Sequence, residues 1–398
     1  MIFNTTKEKF IFYNFPVFLF FLIPFFLITG PFLSDLSISL ISILFLIYCF
    51  KKGNFSYFKN KYFYFFLIFW LYLILNSLII NFNFDSLKIS FFYFRYGVFV
   101  IAIVALLNTD DKFIKYFFYC ILFCFTVLIF DGFYQYFVGK NVLGWELGGR
   151  VTSFFGDEKI LGSYLSRLWP IFFALSVLIL KKKNKLFYFI ILIFILSEVL
   201  IFVSGERAAF FYINLSAMFV ILLSEKLLKL RLIILLTSIL LIIFISLINP
   251  SAKNRIIDHT LNQMNLLNND KNAQEGKKKF EGIYIFSMQH THHYLAAYRM
   301  FLDNKILGVG VKNFRNFCHN EKYKESRFSC SSHPHNTYIQ ILTETGIIGF
   351  LFLMSVLILF CKFIITHILY KTRGSYYFTD FEICILSGIV IYLWPFIP

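Results

Sequence analysis

The sequence predicts an all-α protein: a polytopic transmembrane helical bundle of about 11 spans, with a long polar loop carrying short interfacial helices. Three observations predict it. Of the 398 residues, 59% are hydrophobic and 57 are Phe, more apolar surface than a soluble fold can hide. The apolar residues come in runs of about 17–24, the length that crosses a bilayer core. Lys and Arg collect in alternate loops, as they do on the cytoplasmic side of membrane proteins. The runs lack strand-like alternation, which argues against an outer-membrane barrel. The net charge of +16 is explained by the loop lysines, so no nucleic-acid partner is expected.

The chain opens Met1-Ile2-Phe3-Asn4-Thr5-Thr6-Lys7 without a small-residue cleavage site, so its first run reads as a retained helix. The spans read as 10–29, 33–50, 62–80, 90–107, 113–132, 161–180, 186–204, 208–224, 232–249, 346–369 and 383–398. One set of loops carries Lys7 and Lys9; Lys51, Lys52, Lys59 and Lys61; Lys112 and Lys115; Lys181 to Lys183 and Lys185; Lys226, Lys229 and Arg231; Lys371 and Arg373. These loops are expected to be cytoplasmic. The opposite short loops, near residues 30, 85 and 205, are poor in Lys and Arg.

Two polar segments then face the periplasm, 139–160 and 250–335. The resulting organisation is 1–249, nine helices with the segment 139–160; 250–335, a large periplasmic loop; and 336–398, an interfacial helix and the last spans. The large loop contains Asn268-Asn269-Asp270-Lys271-Asn272 and Lys277-Lys278-Lys279. Within it, Tyr294, Ala297, Tyr298 and Phe301 have helical spacing, which predicts an interfacial helix over 292–302. No internal repeat is visible, so an inverted-repeat transporter gains no support. The last run stops at Trp394-Pro395-Phe396-Ile397-Pro398 and reads as a partial or a truncated span.

Polar groups inside apolar runs are expensive and therefore informative. Arg95, Asp131, Arg167 and Glu198 are of this kind. Arg95, Arg167 and Glu198 read either as structural ion pairs or as functional groups. Asp157-Glu158 reads either as a functional pair or as an N-terminal feature of the following helix. Ser204-Gly205-Glu206-Arg207 forms a tight periplasmic turn. A guanidinium there is the natural bidentate partner of phosphate, and Glu206 is expected to orient Arg207. Arg150 lies in the first periplasmic segment.

Of the seven Cys, Cys49, Cys120, Cys124, Cys361 and Cys384 lie in apolar runs and read as packing residues. Cys318 and Cys330 lie in the polar segment and are expected to pair in an oxidising compartment.

The segment His333-Pro334-His335-Asn336, running on to Glu344-Thr345-Gly346-Ile347-Ile348-Gly349, is the most informative part of the chain. It holds two imidazoles where a polar loop runs into a membrane helix. Pro334 biases its neighbour to extended backbone, and Asn336 can cap a helix whose first turns are Thr337 to Glu344. His335 then stands at a helix start, where the dipole lowers its pKa, and a neutral imidazole is what a general base requires. Gly346 and Gly349 allow close approach of a neighbouring helix. His290-Thr291-His292-His293 invites a metal reading, but the spacing brings only His290 and His293 to one face, with no Cys or carboxylate close by. A hydrogen-bonding or base role for His290 or His293 and a solvated loop are the alternatives. No metal and no cofactor is expected.

These residues resemble the superfamily of O-antigen polymerases and O-antigen ligases, bacterial inner-membrane glycosyltransferases. The resemblance covers most of the chain from about residue 90 onward. Its pieces are Phe92-Tyr93-Phe94-Arg95; Asp131-Gly132-Phe133-Tyr134-Gln135-Tyr136 with Gly139-Lys140-Asn141; Arg150 to Glu158; Ser204-Gly205-Glu206-Arg207; Gly308-Val309-Gly310 with Asn313-Phe314-Arg315; and the His335 segment. The first pieces, and Cys318 and Cys330 leading into His333, resemble the polymerase branch more than the ligase branch. The resemblance implies a metal-independent reaction at the periplasmic face. A glycan on undecaprenyl diphosphate is the donor, and an acceptor sugar hydroxyl displaces the lipid diphosphate.

In that reading His335 is the base or orients the acceptor, Arg207 stabilises the diphosphate, and Arg150, Glu206, His333, Asn336 and Glu344 are candidate substrate-binding residues. Ligases place a second Arg ahead of the Gly-x-Gly turn. His290 stands there in this chain, so either His290 takes that role or Arg299 or Arg315 supplies the charge. The implied partners are the lipid-linked donor and acceptor and the membrane lipid, with a chain-length regulator left open. The leading expectation is a polymerase of lipid-linked repeat units. The alternative is a ligase transferring finished glycan to lipid A-core or to protein, and a third is a transporter of lipid-linked sugar.

Overall fold

The computed structural model describes residues 1–398 apart from Ile2, Asp111, 181–184, 264–287, Glu325, Ile397 and Pro398. The Asn268–Asn272 and Lys277–Lys279 runs and part of the 181–185 lysine cluster therefore lie outside the described residues.

The described residues fold into helices joined by loops. Among them, nine helices are long and apolar enough to cross a membrane: α1 Thr6–Thr29, α2 Pro31–Lys52, α3 Lys61–Ile79, α4 Phe84–Leu107, α5 Lys112–Val138, α6 Leu161–Ile179, α7 Lys185–Val203, α9 Leu228–Ile248 and α11 Thr337–Thr372. The eighth expected span is α8, Arg207–Leu223, with the expected length of 17 residues, and the eleventh is α12, Asp380–Leu393, with 14. Ser224 follows α8 as its C-terminal cap. The interfacial helix expected over 292–302 is α10, Met288–Asp303.

Two compact units result. Unit 1 is Met1–Phe63, Arg95–Ala252 and Ile364–Leu393; unit 2 is Tyr64–Phe94, Lys253–Phe363 and Trp394–Pro398.

Unit 1 is built round α6. Trp169 is fully buried and stacks on Phe173 at 4.7 Å, with Phe194 packed against both rings. Phe172 meets Phe118, Phe125 and Phe194. Aromatic pairs of this kind give packing well beyond simple area burial. Arg95 and Glu198 take the structural one of their two readings, and Arg231, expected in a cytoplasmic loop, is buried in α9 as the partner of Glu198. Arg95 Nη2 lies 2.6 Å from Asp35 Oδ1, and Arg231 Nη1 lies 2.5 Å from Glu198 Oε1 with its guanidinium over the Trp169 ring. Arg167 departs from that expectation: its guanidinium sits over tyrosine rings instead.

In unit 2 the end of α3 is fastened to the 304–313 loop. Asn76 Nδ2 donates to the Leu307 carbonyl at 2.6 Å and Asn81 Nδ2 to the Val309 carbonyl at 3.0 Å. Tyr72 Oη donates to the Thr345 carbonyl. The helix α11 breaks at Gly346, whose φ is +65°. The loop then crosses the break: Val309 N donates to Thr343 O, Gly310 N to Glu344 O, and Ile347 N to Lys305 O. A Cβ at Gly346 would strike the Ile306 main chain, so this position needs glycine for both its φ and its closeness. The predicted close approach at Gly346 is thus to a loop, not to a helix. Gly349 does face a helix, with the Tyr72 ring of α3 against it. The buried face of α10 carries His293, Ala296, Ala297 and Met300, while Tyr298 is exposed. The helix is therefore rolled slightly from the face its aromatic spacing predicts.

Candidate functional site

In unit 1 the segment after α5 is held by two side chains of that helix. Asp131 Oδ1 accepts from Val142 N at 2.9 Å and Asp131 Oδ2 from Ser153 Oγ at 2.5 Å. Gln135 Oε1 accepts from both Thr152 N and Ser153 N at 2.8 Å. Asp131 and Gln135 are four residues apart, so they share one helix face. They leave Arg150 part-buried at the end of the clamped loop.

Glu206 bonds to the start of α6. Its carboxylate takes the N-terminal groups of α6: Gly162 N at 2.6 Å, Ser163 N at 2.9 Å and Ser163 Oγ at 2.7 Å. Orphan amides at a helix start attract a carboxylate, and Glu206 fills that place in preference to Asp157-Glu158, which are exposed. Gly162 is required there, because a Cβ would lie 2.6 Å from Ser204 Oγ. Burial raises the Glu206 carboxyl above the usual range, against the bonds from Ser163 and Gly162 and the charge of Arg150. With Glu206 committed to α6, the charge of Arg150 acts directly on Arg207. Among the described residues the buried Nε of Arg150 has no hydrogen-bond partner. Two guanidinium groups that feel one another suit a polyanion such as a diphosphate.

In unit 2 four imidazoles come together. The His335 ring centre lies 4.2 Å from that of His333, 5.4 Å from His290 and 5.5 Å from His293, and His290 and His293 are 6.1 Å apart. His290 and His293 share a face of α10, as their spacing predicts. His335 has φ +62°, a left-handed conformation that costs a non-glycine residue about 1–2 kcal/mol. Pro334 before it and the helix cap after it hold it there. Asn336 Oδ1 accepts from Tyr338 N at 3.0 Å and Ile339 N at 3.1 Å, while its Nδ2 donates to the Pro395 carbonyl at 2.7 Å. Both ends of the Asn336 amide are thus engaged. Ser332 Oγ pairs with His333 Nδ1 at 2.8 Å, and Ser331 Oγ donates to the His333 carbonyl.

All three central imidazoles are shifted toward the neutral form. Burial lowers the His335 pKa first, and the neighbouring His333 and His293 lower it further. The expected direction is therefore found, with burial and like-charged neighbours as its causes in place of a helix dipole. Burial also lowers His333, aided by Lys312, Arg315 and His293, and lowers His293. Arg315 is exposed but acts on His333; Arg299 is exposed on α10. Glu344 is buried in α11, where Gln340 Nε2 donates to its Oε2 at 3.1 Å. Cys318 and Cys330 are joined in a disulfide, with a Cα–Cα distance of 5.1 Å. The bond closes the loop that leads into His333.

Clustering of His293 with His335 was the feature sequence reasoning missed most clearly. His293 is buried and its bond is to the Ser329 backbone, so only its place three residues after His290 signalled a shared face.

The fold defines an all-helical, multi-pass membrane protein with a guanidinium pair in one unit and an imidazole cluster in the other. Residues 190–354 match the family model described as O-antigen ligase. That match, over less than half of the chain, supports the resemblance to the O-antigen polymerase and ligase superfamily drawn from the motifs. No curated protein matches the chain.

Proposed function

We propose that this chain is a metal-independent glycosyltransferase that polymerises undecaprenyl-diphosphate-linked oligosaccharide repeat units at the periplasmic face of the bacterial inner membrane. The observation that carries the reading is the half-buried imidazole of His335, gathered with three others before a helix start and shifted toward its neutral form by burial and by His333 and His293. In the reaction an acceptor sugar hydroxyl attacks the anomeric carbon of the donor. Its proton passes to His335, and the lipid diphosphate leaves with the electron pair of the broken C–O bond. Arg207, with Arg150, holds the diphosphate as its charge grows. Arg315, whose charge reaches His333, is a better second cation than Arg299. His290 and His333 complete the polar surround of the base, and Asn336 and Glu344 hold the segment that carries it. With guanidinium groups opposing the negative charge of the leaving diphosphate, the reaction needs no metal.

The polymerase branch is favoured by the Cys318–Cys330 bond before the His333 segment and by His290 where a ligase has Arg. A second reading, a ligase that moves finished glycan to lipid A-core or to protein, is favoured by the family description. The test is a gel of surface polysaccharide from a deletion strain complemented with wild type and with His335→Ala. A polymerase gives a ladder collapsed to core plus one unit, restored by wild type alone. A ligase gives core without glycan and long chains left on the carrier. An unchanged ladder in the deletion strain overturns both readings.

A further inference from the structure

Arg167 lies on α6 within unit 1, six residues after Leu161, which is about 9 Å along the helix. It stands one turn beyond Ser163, the residue that bonds Glu206. At this level of a membrane helix a charged group needs a partner. Two other arginines of unit 1 have one: Arg95 has Asp35 and Arg231 has Glu198. Arg167 differs. Among the described residues no carboxylate forms an ion pair with it and none accepts a hydrogen bond from it. Its company is aromatic. The guanidinium carbon lies 5.5 Å from the Tyr212 ring centre of α8 and 5.2 Å from the Tyr392 ring centre of α12.

A long basic side chain near a helix end can lift its head toward water. The Arg167 head is held beside two tyrosine rings. Tyr212 is five residues into α8, about 7 Å from its start, and the head stays beside that ring. The rings hold the cation through their π faces, yet a ring face satisfies no fork of N–H donors. The side chain is part-exposed, so the donors remain open to a ligand. A planar cationic fork is matched by phosphoryl oxygens. At this level the molecules that present phosphate beside hydrocarbon are lipids.

We propose that Arg167, set between Tyr212 and Tyr392, binds the phosphoryl group of a membrane lipid. The chemistry is shared by two sources, a polyprenyl phosphate carrier and an ordinary anionic phospholipid. The proposal stands apart from the transferase reading, because it rests on these three side chains and not on the imidazole cluster.

The test uses the full chain, purified in detergent as wild type, Arg167→Gln, Arg167→Lys and Tyr392→Leu. Each is given a polyprenyl monophosphate, phosphatidylglycerol, or the uncharged polyprenol as probe, and bound lipid is counted by native mass spectrometry. Arg167→Gln is expected to lose phosphate-lipid retention by roughly tenfold, the loss of a charge-assisted contact, with polyprenol unchanged. Arg167→Lys is expected to fall between, since it keeps the charge but loses the fork. If Arg167→Gln is unstable, the Arg167→Lys and Tyr392→Leu comparisons decide the matter alone. Loss confined to the polyprenyl monophosphate identifies a carrier site, and equal loss of both phosphate lipids identifies a general headgroup site. Retention unchanged in every variant overturns the proposal and leaves Arg167 as a clasp between helices. Loss of polysaccharide activity in His335→Ala has no bearing on this binding, so the two ideas fail separately.

Discussion

The imidazoles of His333 and His335 lie 4.2 Å apart, centre to centre, with only Pro334 between them in the chain. Two rings so close cannot both carry a proton without mutual repulsion. His333 therefore helps to shift His335 toward its neutral form, and burial does so first. A base beside an apolar surface gains from this arrangement, because its working form is the uncharged one.

The sign of the pH dependence follows. The His335 pKa lies below its ordinary value of 6.5, so the competent form dominates at neutral pH and is lost only as pH falls through the shifted value. Chain extension in vesicles should be flat near neutrality, with an acid limb whose midpoint lies below 6.5. In His333→Ala one repelling charge is gone, and the midpoint should move up. A midpoint unchanged by that substitution would sever the coupling. Stability should share the direction: the unfolded chain binds more protons below about 6.5, so the fold weakens on acidification.

His335→Ala should lower chain extension by roughly 10²–10⁴, the usual worth of a positioned base, while the amount of protein in the membrane stays level. Immunoblots of membrane fractions alongside the polysaccharide gel check both. Parallel loss of protein and product would make His335 a structural residue.

Arg207→Ala should cost about 10²-fold or more, as loss of a group opposing developing charge does, and Arg150→Ala should act in the same direction. Arg207→Lys should recover only part, because the ammonium lacks the bidentate fork. Full activity in Arg207→Lys would reduce the residue to a point charge.

Glu198→Ala should behave differently. It strands Arg231, fully buried at 0% exposure, as an unpaired charge, at a cost of about 3–5 kcal/mol. Thermal stability and activity should then fall together. The double substitution Glu198→Gln with Arg231→Met should restore much of the stability, since buried pairs are replaceable by apolar packing. Failure of that rescue would point to a role beyond packing.

Cys318 and Cys330, 12 residues apart, should resist alkylation in intact cells until reduced. Removing the pair should lower stability by about 2–3 kcal/mol, the chain-entropy value for so short a loop. Ready labelling of both thiols without reductant would remove the bond.

The membrane helices were legible because run length and loop lysines carry their signal locally. Asn336 was legible for the same reason: a cap acts on amides two and three residues ahead. What escaped were groups whose partners are distant in the chain. Glu206 was expected to serve Arg207, its neighbour, but its oxygens face Gly162 and Ser163. No local pattern reveals which helix start a buried carboxylate will fill. Likewise nothing in the sequence signalled that Val142, Thr152 and Ser153 would bond to Asp131 and Gln135.

The break at Gly346 has a mechanical consequence. The arm 337–345 and the loop 305–310 are stitched by main-chain bonds on both sides of the break, and Ile306 leaves no room there for a side chain. The arm that carries Asn336 therefore cannot swing by itself. Any tilt of the histidine segment drags the loop, and through Asn76 and Asn81 it pulls on the end of α3. The histidine segment is mounted on a braced truss rather than a hinge, so in the proposed reaction substrates of different shape would be accommodated by moving the sugar and not His335.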